Sequence, residues 1–163
     1  MSRVSPKGRS IDLRSSHSSG SGAECYFYRV DDFPGFDGPV GVKVYDTAAI
    51  RDVTVEKQKE AAKMGYGPEV LQDKIRARRP WEESGYAYVT ELVDRVPNAQ
   101  QEGTKAMVLE MKHAAMALDM PTGDIKPANI GVLRGKAVII DFGPMTTEKW
   151  HRDAAWEREH GYA

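Results

Sequence analysis

Asn129 and Asp141 stand at the two ends of one short apolar hairpin. Residues 130–133 and 137–140 are runs of β-forming side chains joined through Arg134, Gly135 and Lys136. Antiparallel pairing of such runs returns the chain to the end at which it entered, so Asn129 and Asp141 should converge. Asp124 lies on the loop leading in, five residues before Asn129. Two carboxylates and one amide oxygen are hard donors of the kind Mg²⁺ accepts, and Mg²⁺ commonly shares its shell with substrate phosphates. Lys43, on a β-like run elsewhere in the chain, would supply the counter-charge for those phosphates.

The elements that must position these groups follow from periodicity and breakers. Residues 1–10 are polar and rich in Ser, Lys and Arg, and are expected to be a flexible N-terminus. Ile11 and Leu13 alternate with polar neighbours as a first short strand, and 15–22 (SSHSSGSG) reads as a turn leading to a second at 23–30. A third strand at 40–45 puts Val40, Val42 and Val44 on one face and Gly41, Lys43 and Tyr45 on the other. Residues 48–64 have helical composition, closed by Gly65, Gly67 and Pro68, and strands are expected at 69–75 and 85–93. After a polar stretch at 94–103 comes a helix at 104–120, with Met107, Met111, Ala114 and Leu118 at helical spacing and Pro121 as its stop. Residues 147–160 read as a last helix ended by Gly161.

Several of these stretches share order and spacing with one family. Asp124-Ile125-Lys126-Pro127-Ala128-Asn129 resembles the protein-kinase catalytic loop D-x-K-P-x-N, and Asp141-Phe142-Gly143 resembles the metal-binding D-F-G. Val40-Gly41-Val42-Lys43 resembles V-A-I-K on the third strand, and the run from Gly20 to Cys25 resembles a degraded G-x-G-x-x-G loop. Glu91-Leu92-Val93 stands where the adenine-binding hinge would be, with Thr90 at the gatekeeper position.

The resemblance covers residues 11–145 and implies a bilobal α+β fold. Its N-lobe, 11–93, would be a five-stranded antiparallel sheet with one helix; 94–103 would be the hinge, and 104–163 a strongly reduced C-lobe. The implied activity is Mg²⁺- and ATP-dependent transfer of a γ-phosphoryl group to a hydroxyl, on protein Ser/Thr or on the chain itself. In that scheme Asp124 would orient the acceptor hydroxyl and take its proton, and Lys126 would contact the γ-phosphoryl group. Asn129 and Asp141 would hold the metal, and Lys43 would pair the α- and β-phosphates. Glu56 would hold Lys43, with Glu60 as the alternative four residues on. Gly20 and Gly22 would bring backbone N–H groups to phosphate, Gly41 would leave room for adenine, Phe27 would cap it, and Thr90, Glu91 and Val93 would line it. Plainer roles compete: Asp124 and Asn129 could satisfy a turn, and Phe27 could be core.

Two departures from the family shape the expectation. Where the catalytic loop has H-R-D, this chain has Thr122-Gly123-Asp124, which resembles small-molecule kinases and argues against control by an activation-loop phosphate. Nothing resembling A-P-E follows Gly143, so a platform for a peptide substrate is not expected, and such compactness suits a phage or viral product. Two rival readings stay open: a pseudokinase binding a nucleotide or a partner, and a small-molecule phosphotransferase. Residues 147–160 could also form a homo-oligomer surface.

Composition narrows the rest. A net charge of −1 over 163 residues offers no basic excess for nucleic acid. No apolar run approaches the roughly 20 residues of a membrane span, so no membrane partner is expected. Cys25, the single cysteine, forbids an internal disulfide and suits a reducing compartment, the cytoplasm, or the host's if the chain is phage-encoded.

Overall fold

The computed structural model describes residues 10–14, 20–21, 25–81, 84–95, 102–143 and 158–159. The fold is α+β and divides into two compact units, one from Met1–Val55 with Glu69–Leu92 and one from Glu56–Pro68 with Val93–Ala163. Among the described residues, no helix is long and apolar enough to cross a membrane.

The first unit is built on a mixed sheet of six strands: β1 (Ser10–Asp12), β2 (Gly20–Ser21), β3 (Cys25–Val30), β4 (Val40–Tyr45), β5 (Val70–Arg78) and β6 (Ser84–Thr90). Their order across the sheet is β1-β5-β6-β4-β3-β2. The Val-Gly-Val-Lys-Val-Tyr run of β4 is buried along its whole length because it lies in the interior of the sheet. On one face Val42, Val44, Ile75, Ala87 and Val89 pack with Phe33 into the unit's main core. Lys43 and Tyr45 point to the opposite face, as strand alternation requires.

The sheet corrects one sequence expectation. It is not a five-stranded antiparallel sheet, because β1 pairs parallel to β5, with Ser10 opposite Arg76 and Asp12 opposite Arg78. Beside β3 lies β2, whose Gly20 and Ser21 pair with Phe27 and Tyr26. The physical reason is burial. Leu13 continues the β1–β5 ladder through its N–H to Arg78 O at 2.7 Å, and its side chain, 1% exposed, enters the main core from that edge. An edge strand of β5 would otherwise leave its backbone groups unpaired.

Helix α1 (Ala48–Lys63) starts where Thr47 Oγ1 accepts from Ile50 N–H at 3.3 Å, an N-cap bond. It stops at Gly65, which takes a left-handed φ of 81° while Tyr66 N–H closes onto Ala61 O at 2.9 Å. Its buried face is Arg51, Thr54, Val55, Gln58 and Ala61. In the first unit Val55 packs with Tyr45 and Tyr88. There the Arg51 guanidinium donates to Ile75 O at 3.3 Å and Ala87 O at 3.4 Å, beside an irregularity in the β5–β6 register.

In the second unit, α2 (Glu102–Ala117) buries Val108, Met111 and Ala115 against Leu118, Ile125 and Phe142. Three short strands, β7 (Asp94–Arg95), β8 (Ile130–Leu133) and β9 (Lys136–Ile139), pair antiparallel in that order. The β8–β9 turn is Arg134-Gly135, with φ of 51° and 78°, the left-handed pair that a two-residue hairpin favours. Two 3₁₀ turns, Thr122–Asp124 and Pro127–Asn129, lead into β8. Of the helix expected at 147–160, Arg158 and Glu159 are helical and the rest lies outside the described residues.

If Leu13 is core, Leu13→Ala should lower unfolding stability by about 2–5 kcal/mol. Urea titration followed by circular dichroism measures it, and a loss under about 0.5 kcal/mol would place Leu13 with exposed residues instead.

Candidate functional site

Strand register sets the surroundings of Lys43. Phe27 of β3 and Tyr88 of β6 flank it as direct partners on one sheet face. Lys43 is 8% exposed, and its ammonium lies 5.9 Å from the Tyr88 ring centroid, within reach of a cation–π attraction. Gly41, two residues earlier on that face, pairs with Thr90. A Cβ at Gly41 would fall 2.8 Å from two Phe27 ring carbons and 3.1 Å from Thr90 Cγ2. The room that glycine leaves is therefore occupied by Phe27 of its own sheet. Gly20 pairs with Phe27 from the other side, whereas Gly22 lies outside the described residues.

Thr90 and Glu91 are engaged with the entry to β5. Glu91 N–H donates to Glu69 O at 3.1 Å, and Glu69 N–H returns a bond to Glu91 Oε1 at 2.8 Å. Thr90 Oγ1 donates to the same Glu69 carbonyl at 3.3 Å. The Glu91 carboxylate thus clamps backbone. Val93 belongs to the second unit and packs on β8, where a Cβ at Gly131 would meet its Cγ2 at 2.6 Å.

On α1 the two candidate glutamates face solvent. Glu56, 77% exposed, lies 3.7 Å from Lys59, and Glu60, 52% exposed, lies 3.5 Å from Lys57. Such exposed pairs contribute little, about 0.3–0.5 kcal/mol each. Gln58, between them in sequence, is fully buried and donates from Nε2 to Pro68 O at 3.0 Å. The run Glu-Lys-Gln-Lys-Glu reads as a solvated surface, which hides the one polar side chain in it that is fully buried.

The second unit brings Asn129 and Asp141 to one end of the hairpin. Beyond the last strand pair, Ile130 with Ile139, Ile140 N–H donates to Asn129 O at 3.0 Å, so the ladder runs one step further and Asp141 follows it directly. On its other side Asp141 is held by an Asx-type turn, Gly143 N–H donating to Oδ1 at 3.1 Å. Phe142, 2% exposed, is buried in the core of this unit. A Cβ on Gly67 would sit 2.9 Å from its ring, so Gly67 lets the aromatic ring close on the backbone after α1.

Asn129 closes the Pro127–Asn129 turn onto Lys126 O at 2.8 Å, with Lys126 extended and half-buried just before it. Asp124 ends the preceding turn, and its side chain lies outside the described residues. Among the described residues, no group of three or more His, Cys, Asp or Glu gathers as a metal site. A carboxylate and an amide at one hairpin end are nonetheless a donor pair that suits Mg²⁺, which keeps several waters and needs few protein ligands.

One buried and one half-buried ammonium group escaped the sequence reading. Lys112 of α2, 9% exposed, donates to Thr122 O at 3.0 Å, and Lys57 donates to Leu118 O at 2.9 Å. Each lysine looks like ordinary helix surface in sequence. The only signal is position: Lys112 follows Met111 and precedes Ala114 and Ala115 on the inward side of α2.

Gly41→Ala should cost about 1–3 kcal/mol by pushing the Phe27 ring aside. The double variant Phe27→Ala/Gly41→Ala should lose less than the sum of the two single losses, because the clash disappears with the ring. Additive losses in a denaturation cycle would show that Phe27 does not confine residue 41.

No family model and no curated protein sequence matches this chain. Among solved structures, that of an apo pseudokinase is similar, with a TM-score of 0.39 and 12% sequence identity over 83% of this chain. The chain spans 63% of that protein's length.

Proposed function

We propose that the chain is a magnesium- and ATP-dependent phosphotransferase of kinase-like build that phosphorylates a hydroxyl, on protein Ser/Thr or on itself. The observation that carries the reading is the Ile140-to-Asn129 hydrogen bond, which ends one hairpin with Asn129 and Asp141 together. A buried lysine on an internal strand, Lys43, supports it from the first unit.

The chain's own residues divide the work. Asp141 and Asn129 would hold Mg²⁺; when bound, Mg·ATP supplies the phosphoryl group and neutralises the charge of the leaving oxygens. Lys43 would bind phosphate oxygens, and the backbone at Gly20 and Gly22 would approach them. Phe27, seated over Gly41, would offer a ring face to the base, with Thr90 and Glu91 in the same unit. Asp124 would orient the acceptor hydroxyl and take its proton, and Lys126 would meet the charge developing on the transferred group. Such catalysis is positioning plus charge stabilisation and needs no covalent nucleophile.

A specific observation favours a second reading, a module that binds a nucleotide or a partner without transfer. Glu56 and Glu60 are both exposed and engaged with lysines of their own helix, and the buried polar residue of that stretch, Gln58, is neutral.

Transfer of label from γ-labelled ATP in the presence of Mg²⁺, with calorimetric titration of ATP, separates the two. Wild type should transfer label, Asp141→Asn should not, and Asp124→Ala should lower kcat by about 10²–10⁴-fold with ATP binding kept. Full activity in Asp141→Asn would end the metal assignment. Tight Mg·ATP binding by a wild type that transfers nothing would favour the binding module.

A further inference from the structure

We infer that Lys112 is a positioning residue for Asp124, holding through one carbonyl the turn on which the proposed general base sits. The inference rests on the phosphotransfer reading for the role of Asp124, but its geometry stands independently.

The Thr122–Asp124 turn is short and poorly secured by its own sequence. Pro121 precedes it in extended conformation and has no N–H to give, and no side chain caps the turn. At its exit Ile125 N–H donates to Thr122 O at 3.1 Å. Met120 and Ile125, 8% and 0% exposed, anchor the chain on either side. Between those anchors the Thr122 carbonyl accepts a second bond, from Lys112 Nζ at 3.0 Å, and two lone pairs allow both. A bond from an ammonium is roughly twice as strong as one between neutral groups.

The cost of this arrangement argues for its use. Lys112 is 9% exposed on the side of α2 that also buries Met111 and Ala115. An apolar side chain of similar volume would fill the same space without desolvating a charge. What methionine could not do is fix the carbonyl two residues before Asp124. The residues at 122 and 123, Thr and Gly, bring no long side chain of their own to anchor the turn. Displacement of a reacting group by about 1 Å can cost on the order of 10²-fold in rate.

The test compares wild type, Lys112→Met, which keeps the volume and loses the donor, and Lys112→Arg, which keeps a charged donor. Phosphate transfer from ATP gives kcat and KM, amide hydrogen exchange reports the Ile125 N–H, and thermal melts report the fold. The expected result for Lys112→Met is a kcat lower by about 10²-fold with KM for ATP within about twofold. Ile125 should also exchange faster while the β8–β9 amides stay protected, and Lys112→Arg should recover most of both losses. If Lys112→Met does not fold, Lys112→Gln, a neutral donor, takes its place in the same comparison. Wild-type kcat with unchanged exchange at Ile125 would overturn the inference. So would an arginine variant as impaired as the methionine one with melting lowered alike, because that marks a merely structural lysine. A wild type that transfers no phosphate would defeat the phosphotransfer reading and the catalytic part of the inference; exchange at Ile125 would then decide separately whether Lys112 anchors the turn.

Discussion

The hydrogen bond from Ile140 N–H to Asn129 O extends the β8–β9 ladder by one step, and the geometry of the second unit depends on it. A hairpin end is a natural fraying point, yet here both flanks are secured. Asn129 arrives from a 3₁₀ turn opened by Pro127, whose fixed φ suits that position. Asp141 leaves toward Phe142, which is buried among residues of α2 and the C-terminal part of α1. Oxygen donors carried on such paired and anchored backbone are set more firmly than donors on an open loop. The glycine at position 67 belongs to the same device, because a larger residue would collide with the Phe142 ring.

A second regularity concerns buried or half-buried cations and backbone carbonyls. Arg51 bonds Ile75 O and Ala87 O where the β5–β6 register is irregular, and Arg79 bonds Ser84 O while pairing with Asp46. Lys57 bonds Leu118 O just past α2, and Lys112 bonds Thr122 O in the following turn. Each carbonyl lies where regular pairing bends, breaks or ends, and unsatisfied buried carbonyls are costly. The long stems of lysine and arginine let the charge arrive from a neighbouring element while the methylenes are buried. This solution leaves a charged side chain at a place that composition would assign to solvent.

The distribution of what was legible in the sequence follows from that. The alternation of β4, the β8–β9 hairpin and the long α2 are local patterns, and local patterns survive in sequence because side-chain period is set by backbone geometry. The parallel pairing of β1 with β5 is a long-range choice, made by Leu13 finding a core, and nothing within residues 10–13 specifies the partner. The same holds for β7, whose Asp-Arg composition resembles linker until Gly131 and Val132 pair with it. Lys43, Asn129 and Asp141 could be singled out because each sits at a fixed place in a short local run, VGVK or the two ends of the hairpin. Gln58, Lys57 and Lys112 could not, because a polar residue on an amphipathic helix declares its face only when the helix is docked.

The phosphotransfer and binding-module readings part company at a small piece of this molecule. Both would use Lys43 and the Asn129–Asp141 hairpin end, since holding a nucleotide and its metal requires charge and oxygen donors in either case. Only transfer requires a proton acceptor and a cation held at the acceptor side, the roles assigned to Asp124 and Lys126. Those two residues flank Ile125, fully buried, and are joined to the rest of the unit through the two 3₁₀ turns. Short 3₁₀ segments have poorer hydrogen-bond geometry than α-helix and depend on outside support. Lys112 supports one of these turns and Ile140 the other. On the phosphotransfer reading, that support would serve to position reactants.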